Sequence, residues 1–108
     1  MSNVSNPPII YPVGQSSPSR VFGTVYHNTK NRPLYVNVIC SSTAVGLNSV
    51  YALCDATVTP AIGVAGYFQD ATVAGARGTI SFIVLPGYYY SVTLQSGAMS
   101  QIAWIEWI

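Results

Sequence analysis

Leu34-Tyr35-Val36-Asn37-Val38-Ile39-Cys40-Ser41 decides the fold class. Leu34, Val36, Val38 and Cys40 fall on one side of an extended chain, and Tyr35, Asn37 and Ile39 on the other, because successive strand side chains point to opposite faces. The same behaviour recurs outward from this stretch. Residues 48–54 set Val50, Ala52 and Cys54 against Tyr51 and Leu53, and residues 79–85, 88–94 and 101–108 are short, largely apolar runs bounded by turn residues. Residues 20–26 read as a first strand, 27–33 as a polar loop, and 55–66 as a loop holding a short strand, with a further strand at 66–72. Gly75-Ala76-Arg77-Gly78 reads as a turn, Pro86-Gly87 as a tight-turn pair and 95–100 as a loop around Gly97. No stretch carries a helical apolar stripe with caps. Seven to eight short strands predict an all-β chain, an antiparallel β-sandwich or jelly roll.

Residues 1–19 differ from the rest. They hold Pro7, Pro8, Pro12 and Pro18, five serines, and a single apolar cluster of Ile9, Ile10, Tyr11 and Val13. Proline removes backbone donors and favours extended backbone, so the stretch predicts an extended N-terminal arm ahead of a sandwich domain at 20–108. Ile9, Ile10, Tyr11 and Val13 are the residues expected to dock it to a neighbouring protein. Residues 101–108 are apolar on both strand faces, which predicts burial on both, either as a central strand of the sandwich or at a subunit interface, where Ile102, Trp104, Ile105 and Trp107 are the expected oligomer contacts.

The 108 residues carry four Lys and Arg, three Asp and Glu and one His, so 6% are charged while 50% are hydrophobic. An ordinary soluble domain carries roughly 25% charged residues. Twelve Ser, eight Thr, six Asn and four Gln supply the polarity instead. A chain with so little charge is expected to have much of its surface covered by companion subunits. It offers no basic footprint for nucleic acid or anionic lipid, and no apolar run of the roughly 18 residues that a membrane-spanning helix needs. The first residues lack the pattern of a secretory signal. Cys40 and Cys54 lie in separate strand-like runs and read as free, buried thiols.

Catalytic chemistry finds little to work with. Asp55, Asp70 and Glu106 are the carboxylates, and nothing in their spacing pairs them as an acid and base. His27 is the single histidine, and no nucleophile-elbow or phosphate-loop motif accompanies it. Three Cys and His residues fall short of the four ligands of a structural zinc site. The expectation is therefore no catalytic residue, no metal and no cofactor. Tyr88-Tyr89-Tyr90 follows the Pro-Gly pair, and alternation places at least one ring outward, so Tyr88, Tyr89 and Tyr90 are the candidate ligand-facing aromatics.

The run Gly78-Thr79-Ile80-Ser81-Phe82-Ile83-Val84-Leu85-Pro86-Gly87-Tyr88-Tyr89-Tyr90-Ser91-Val92, with Ile102-Ala103-Trp104-Ile105-Glu106 after a glycine-containing loop, resembles the C-terminal module of tailed-bacteriophage and prophage tail-fibre proteins. Val25-Tyr26-His27-Asn28-Thr29 and Arg32-Pro33-Leu34-Tyr35-Val36 are similar to that module's opening, so the resemblance spans about residues 20–108. Leu85 stands where the module has the first of two prolines. The resemblance implies a small β-sandwich, often a homotrimer, displayed on a virion and assembled in the host cytoplasm. Its partners would be further copies of itself, other phage tail or capsid proteins, and a host-surface glycan as a further candidate. The expected function is a non-enzymatic tail-fibre or receptor-binding-type module; a capsid decoration protein and a stand-alone carbohydrate-binding module are the alternatives.

Overall fold

The computed structural model describes residues 14–72 and 74–108. Among these residues there are eight strands: β1 (Gln15–Ser16), β2 (Tyr26–His27), β3 (Leu34–Ser42), β4 (Gly46–Asp55), β5 (Gly63–Ala71), β6 (Arg77–Val84), β7 (Tyr89–Ser96) and β8 (Met99–Trp107). They form two four-stranded antiparallel sheets, in the orders β1-β8-β3-β6 and β2-β7-β4-β5. Within them β1 pairs β8, β2 pairs β7, β3 pairs β6 and β4 pairs β5, as in one long hairpin folded over on itself. Rolling that hairpin adds β3·β8 and β4·β7, which makes the sandwich a jelly roll.

The alternation of β3 appears as predicted, with Leu34, Val36, Val38 and Cys40 buried and Tyr35, Asn37 and Ile39 half-buried on the outer side. Their inward side chains, with Ile80, Phe82, Val84 and Trp104, pack on Val50, Ala52, Cys54, Tyr90 and Val92 of the opposing sheet. Cys40 and Cys54 are both free and buried. Burial pushes both thiols up; the Asp55 charge adds to this at Cys54, and the Gly78 carbonyl opposes it at Cys40.

Several boundaries differ from the sequence reading. Residues 20–26 do not form a strand; only Tyr26 and His27 pair, because Gly23 takes a φ of +83° and turns the chain. The region 55–72 holds one nine-residue strand, β5. Gly78 lies inside β6, where the Tyr67 ring occupies the space its side chain would need. Leu85-Pro86-Gly87-Tyr88 is a tight turn, closed by Tyr88 N–H donating to Leu85 O at 3.0 Å with Gly87 at φ +82°. It links strands of different sheets and so is not a hairpin.

Two asparagines and one aspartate hold the loops. Asn28 donates to Arg32 O and Val84 O and accepts from Lys30 N–H, and Asn48 donates to Ala44 O and Gly46 O and accepts from Ala98 N–H. The Asp55 carboxylate accepts from Ala61 N–H (2.8 Å), Thr57 Oγ1 (2.5 Å), Thr57 N–H (2.8 Å) and Ile62 N–H (3.3 Å), tying down the β4–β5 connection. Those donors, Ala61 first, hold its pKa at about 2 against the opposing effect of burial. The stability gained there is complete above the ordinary value of 3.8 and disappears as pH falls through about 2. Asp55→Asn should therefore unfold at lower urea than the unsubstituted chain at pH 5, and the gap should close between pH 4 and pH 2. A gap that stays constant over that range would remove the carboxylate from this role.

Candidate assembly surface

The outer side of β8, β3 and β6 is built in three registered rows. Trp107, Tyr35 and Ile83 form the first, Ile105, Asn37 and Ser81 the second, and Ala103, Ile39 and Thr79 the third. The first row extends to Gln15 of β1. None of these positions is charged, and the Ser81 hydroxyl donates to Asn37 Oδ1 across the strands, so the polar groups of the middle row partner each other. Ile83 is 57% exposed. Where β6 meets the start of β5, Tyr35, Asn37, Val64, Ser81, Phe82 and Ile83 line an open groove of about 420 Å³. That volume falls within the roughly 300–1,000 Å³ of small-ligand pockets.

The strand expected to supply the oligomer contacts divides differently. Trp104 is 2% exposed and lies in the core, its Nε1 donating to Glu106 Oε2 at 2.9 Å, so it has no surface left for a neighbour. Ile102 is exposed but shares no face with Trp104. Ile39 pairs with Ala103 and Cys40 with Gln101, which leaves Ile102 as an extra bulged residue and resets the alternation. Ile105 and Trp107 are half-buried on the outer face. Of the four residues, Ile105 and Trp107 belong to the surface described here.

The tyrosine run also divides. Tyr90 is 0% exposed, opposite Cys54 and Tyr26, and faces the core, so it is not ligand-facing. Tyr89 points outward and stacks on His27, with ring centroids 4.0 Å apart and 7° between planes. Tyr88 packs partly against the core. Ile9, Ile10, Tyr11 and Val13 lie outside the described residues. The later part of the arm belongs to the sandwich edge: β1 pairs with β8, Gly14 and Ile108 exchange backbone hydrogen bonds, and Ser17 Oγ donates to Trp104 O.

Titratable groups gather at one end of the sandwich, where Arg20, His27, Lys30, Tyr90 and Glu106 line a pocket of about 110 Å³. Glu106 is 5% exposed and organises it. Its Oε2 accepts from Tyr90 OH (2.7 Å), Trp104 Nε1 (2.9 Å) and Arg20 Nε (3.3 Å), and its Oε1 from Arg20 Nη2 (3.4 Å). The Arg20 guanidinium also lies 4.3 Å over the Tyr26 ring. Burial, then the Glu106 hydrogen bond and charge, push the Tyr90 phenol well above its usual range. With Glu106 engaged by four donor contacts and Asp55 by its loop, both carboxylates are committed to holding structure. Sequence reading found no acid–base partner for Glu106 and assigned it no contact; its place two residues from Trp104, on one strand face, was the available sign of this cluster.

Among the described residues, no group of three or more His, Cys, Asp and Glu side chains is placed to hold a metal ion. No helix among them is long and apolar enough to cross a membrane. Comparison with known proteins finds no family model, curated protein or solved structure that matches this chain.

Proposed function

We propose that this chain is a non-enzymatic structural subunit of a tailed-phage virion, a homotrimeric tail-fibre or receptor-binding-type module attached through its N-terminal segment. The observation that carries this reading is the uncharged outer face of β8, β3 and β6, on a chain with only 6% charged residues. Left in water, Trp107, Tyr35, Ile105, Ile39 and Ile83 form a contiguous apolar patch, and large patches of this kind mark protein contacts. Burying such a face in a subunit interface returns about 25 cal/mol for each Å² of apolar surface removed from water. Jelly rolls also serve as capsid and lectin domains, which fits a particle subunit but does not by itself assign one.

Light scattering after gel filtration should give three times the subunit mass, unchanged at about 1 M NaCl because salt screens charge pairs and not apolar contacts. Ile105→Asp should yield single subunits with an unaltered far-ultraviolet β spectrum. A single-subunit mass for the unsubstituted chain, or dissociation by salt, would overturn the proposed interface. Band intensity in purified virions separates the locations: a few to a few dozen copies fit a fibre, whereas a copy number near that of the capsid protein would replace it with a decoration protein.

A further inference from the structure

One side of the sandwich is left open. β5 and β6 are the last strands of their sheets and lie side by side there, the Tyr67 ring over Gly78 and Tyr67 OH donating to Arg77 O at 3.1 Å. We infer that copies join at this side: the edge of β5 pairs with the edge of β6 of the next copy, and three copies close a ring around an axis running along the strands. This deepens the reading of the chain as a self-assembling trimer and rests on it.

Three observations carry it. The first is that these edges are uncovered. On the opposite side β1 and β2 cap β8 and β7, and residues 17–23 run across the gap. Ser17 Oγ donates there to Trp104 O, Gln101 Nε2 to Arg20 O, and Gly23 N–H to Val92 O. Among the described residues, β5 and β6 have no backbone partner beyond β4 and β3, so each presents unpaired N–H and C=O groups. Proline, lysine or a bulge usually blunts such an edge; apart from the extra Val64 near the start of β5, neither strand has one.

The second observation is symmetry. A ring contact is heterologous, so the surface a copy presents must differ from the surface it receives. The outer face of β8, β3 and β6 is one surface; two neighbouring edges are two, and β6 belongs to both the face and the contact. Within a copy β5 and β6 run in opposite directions, since Tyr67 reaches Arg77 O and Gln69 reaches Ala76 O. Rotation about an axis along the strands preserves direction. β5 therefore meets the neighbouring β6 antiparallel, the sense of every ladder in this fold.

The third is charge. The same rotation preserves height, so Tyr67, level with Gly78 in one copy, brings Phe68 level with Arg77 of the next. Phe68 is 66% exposed, Arg77 is exposed on the outer side of β6, and Asp70 follows two residues after Phe68. Asp70 and Arg77 are the only charges on the two strands, and they are opposite in sign. Among the described residues neither has an ion-pair partner within its own copy. Across the contact the guanidinium gains an aromatic ring in Phe68 and a carboxylate in Asp70.

The test uses full chains carrying both Phe68→Cys and Arg77→Cys, mildly oxidised after assembly; Cys40 and Cys54 are buried. Opposed residues of an antiparallel pair have Cα atoms roughly 4.5–5.5 Å apart, within disulfide reach. Within one copy the two side chains leave different sheets in opposite directions, across the roughly 10 Å between sheets, too far to link. The expected result on a non-reducing denaturing gel is a band at three subunit masses, with 68 and 77 as the linked positions. It should be at least about tenfold stronger than any product of a control with Val58→Cys and Arg77→Cys, because Val58 lies at the other end of the sandwich. Arg77→Asp should raise the concentration for half-assembly at least about fivefold, and adding Asp70→Arg should restore it. If the unsubstituted chain is trimeric by light scattering, four results overturn the edge contact while the self-assembly reading stands: linkage within one chain, linkage of 68 to 68, products longer than three chains, or linkage no greater than the control. A charge exchange that fails to restore assembly does the same. If the unsubstituted chain is a single subunit, both fall.

Discussion

Glu106→Ala will cost this fold about 3 kcal/mol, the lower end of the range for breaking a buried ion pair, since Arg20 keeps part of its side chain in water. The substitution leaves three groups without their acceptor: the Tyr90 hydroxyl and Trp104 indole N–H, both on fully or nearly fully buried residues, and the Arg20 guanidinium. Tyr90 and Trp104 have been removed from water on folding, and Arg20 in part, so losing the carboxylate exposes their desolvation penalty. Thermal unfolding should fall by roughly 12 °C or more for a domain of this size. Glu106→Gln should cost less, because an amide oxygen at the Oε2 position still accepts from Tyr90 OH and Trp104 Nε1 while the charge opposite Arg20 is gone. Tyr90→Phe should cost least, roughly 1 kcal/mol, since it removes one donor contact and leaves Glu106 with three. If Glu106→Ala unfolds within a degree or two of the unsubstituted chain, the carboxylate does not organise that end of the sandwich.

That cluster also marks what the sequence could and could not reveal. Period-two alternation is a local property, so β3 and the inward set of β4 were legible from residues 34–41 and 48–54. The Ile102 bulge was not, because an extra residue is defined only against the register of the partner strand β3. Counting alternately along residues 101–108 therefore put Ile102 and Trp104 on one face, whereas the bulge leaves Trp104 in the core and Ile102 exposed. Tyr88-Tyr89-Tyr90 failed differently: alternation says that adjacent rings point apart but not which points inward, and the Tyr26 and Cys54 pairings choose Tyr90. β1 has only two residues in a serine-rich stretch, too short for any periodicity, and exists because the edge of β8 accepts it. β5 reads Gly-Val-Ala-Gly-Tyr-Phe, whose small residues blur the pattern. Glu106 meets Arg20 across 86 residues and Tyr90 across 16, and no local pattern encodes such contacts. The uncharged outer face lay between these cases: its composition was visible, but its rows needed three strands in register.

Gly97→Ala should be about as damaging, at roughly 2–6 kcal/mol with backbone strain and loss of a buried polar clamp each contributing about 1–3 kcal/mol. Gly97 takes a φ of +73° in the short connection between β7 and β8, a conformation that L side chains seldom adopt. The added methyl would also collide with Leu47 O and with Asn48 Oδ1, the latter on a residue that is 0% exposed. Backbone cannot rotate away as a long side chain can, so either the 46–48 strand start or the 97–98 connection must move. Either shift stretches the Ala98 N–H to Asn48 Oδ1 bond, now 2.8 Å, and with it the ties from Asn48 to Ala44 O and Gly46 O. Gly75 supplies the control. Its φ is +96°, yet nothing lies within 4 Å of an added Cβ, so Gly75→Ala meets conformational strain alone. Urea unfolding of the two variants side by side should place Gly97→Ala lower in stability than Gly75→Ala by at least about 1 kcal/mol, the minimum for one buried group left unpaired. Equal losses would mean that positive φ accounts for the whole effect and that the close approach of the two connections adds nothing.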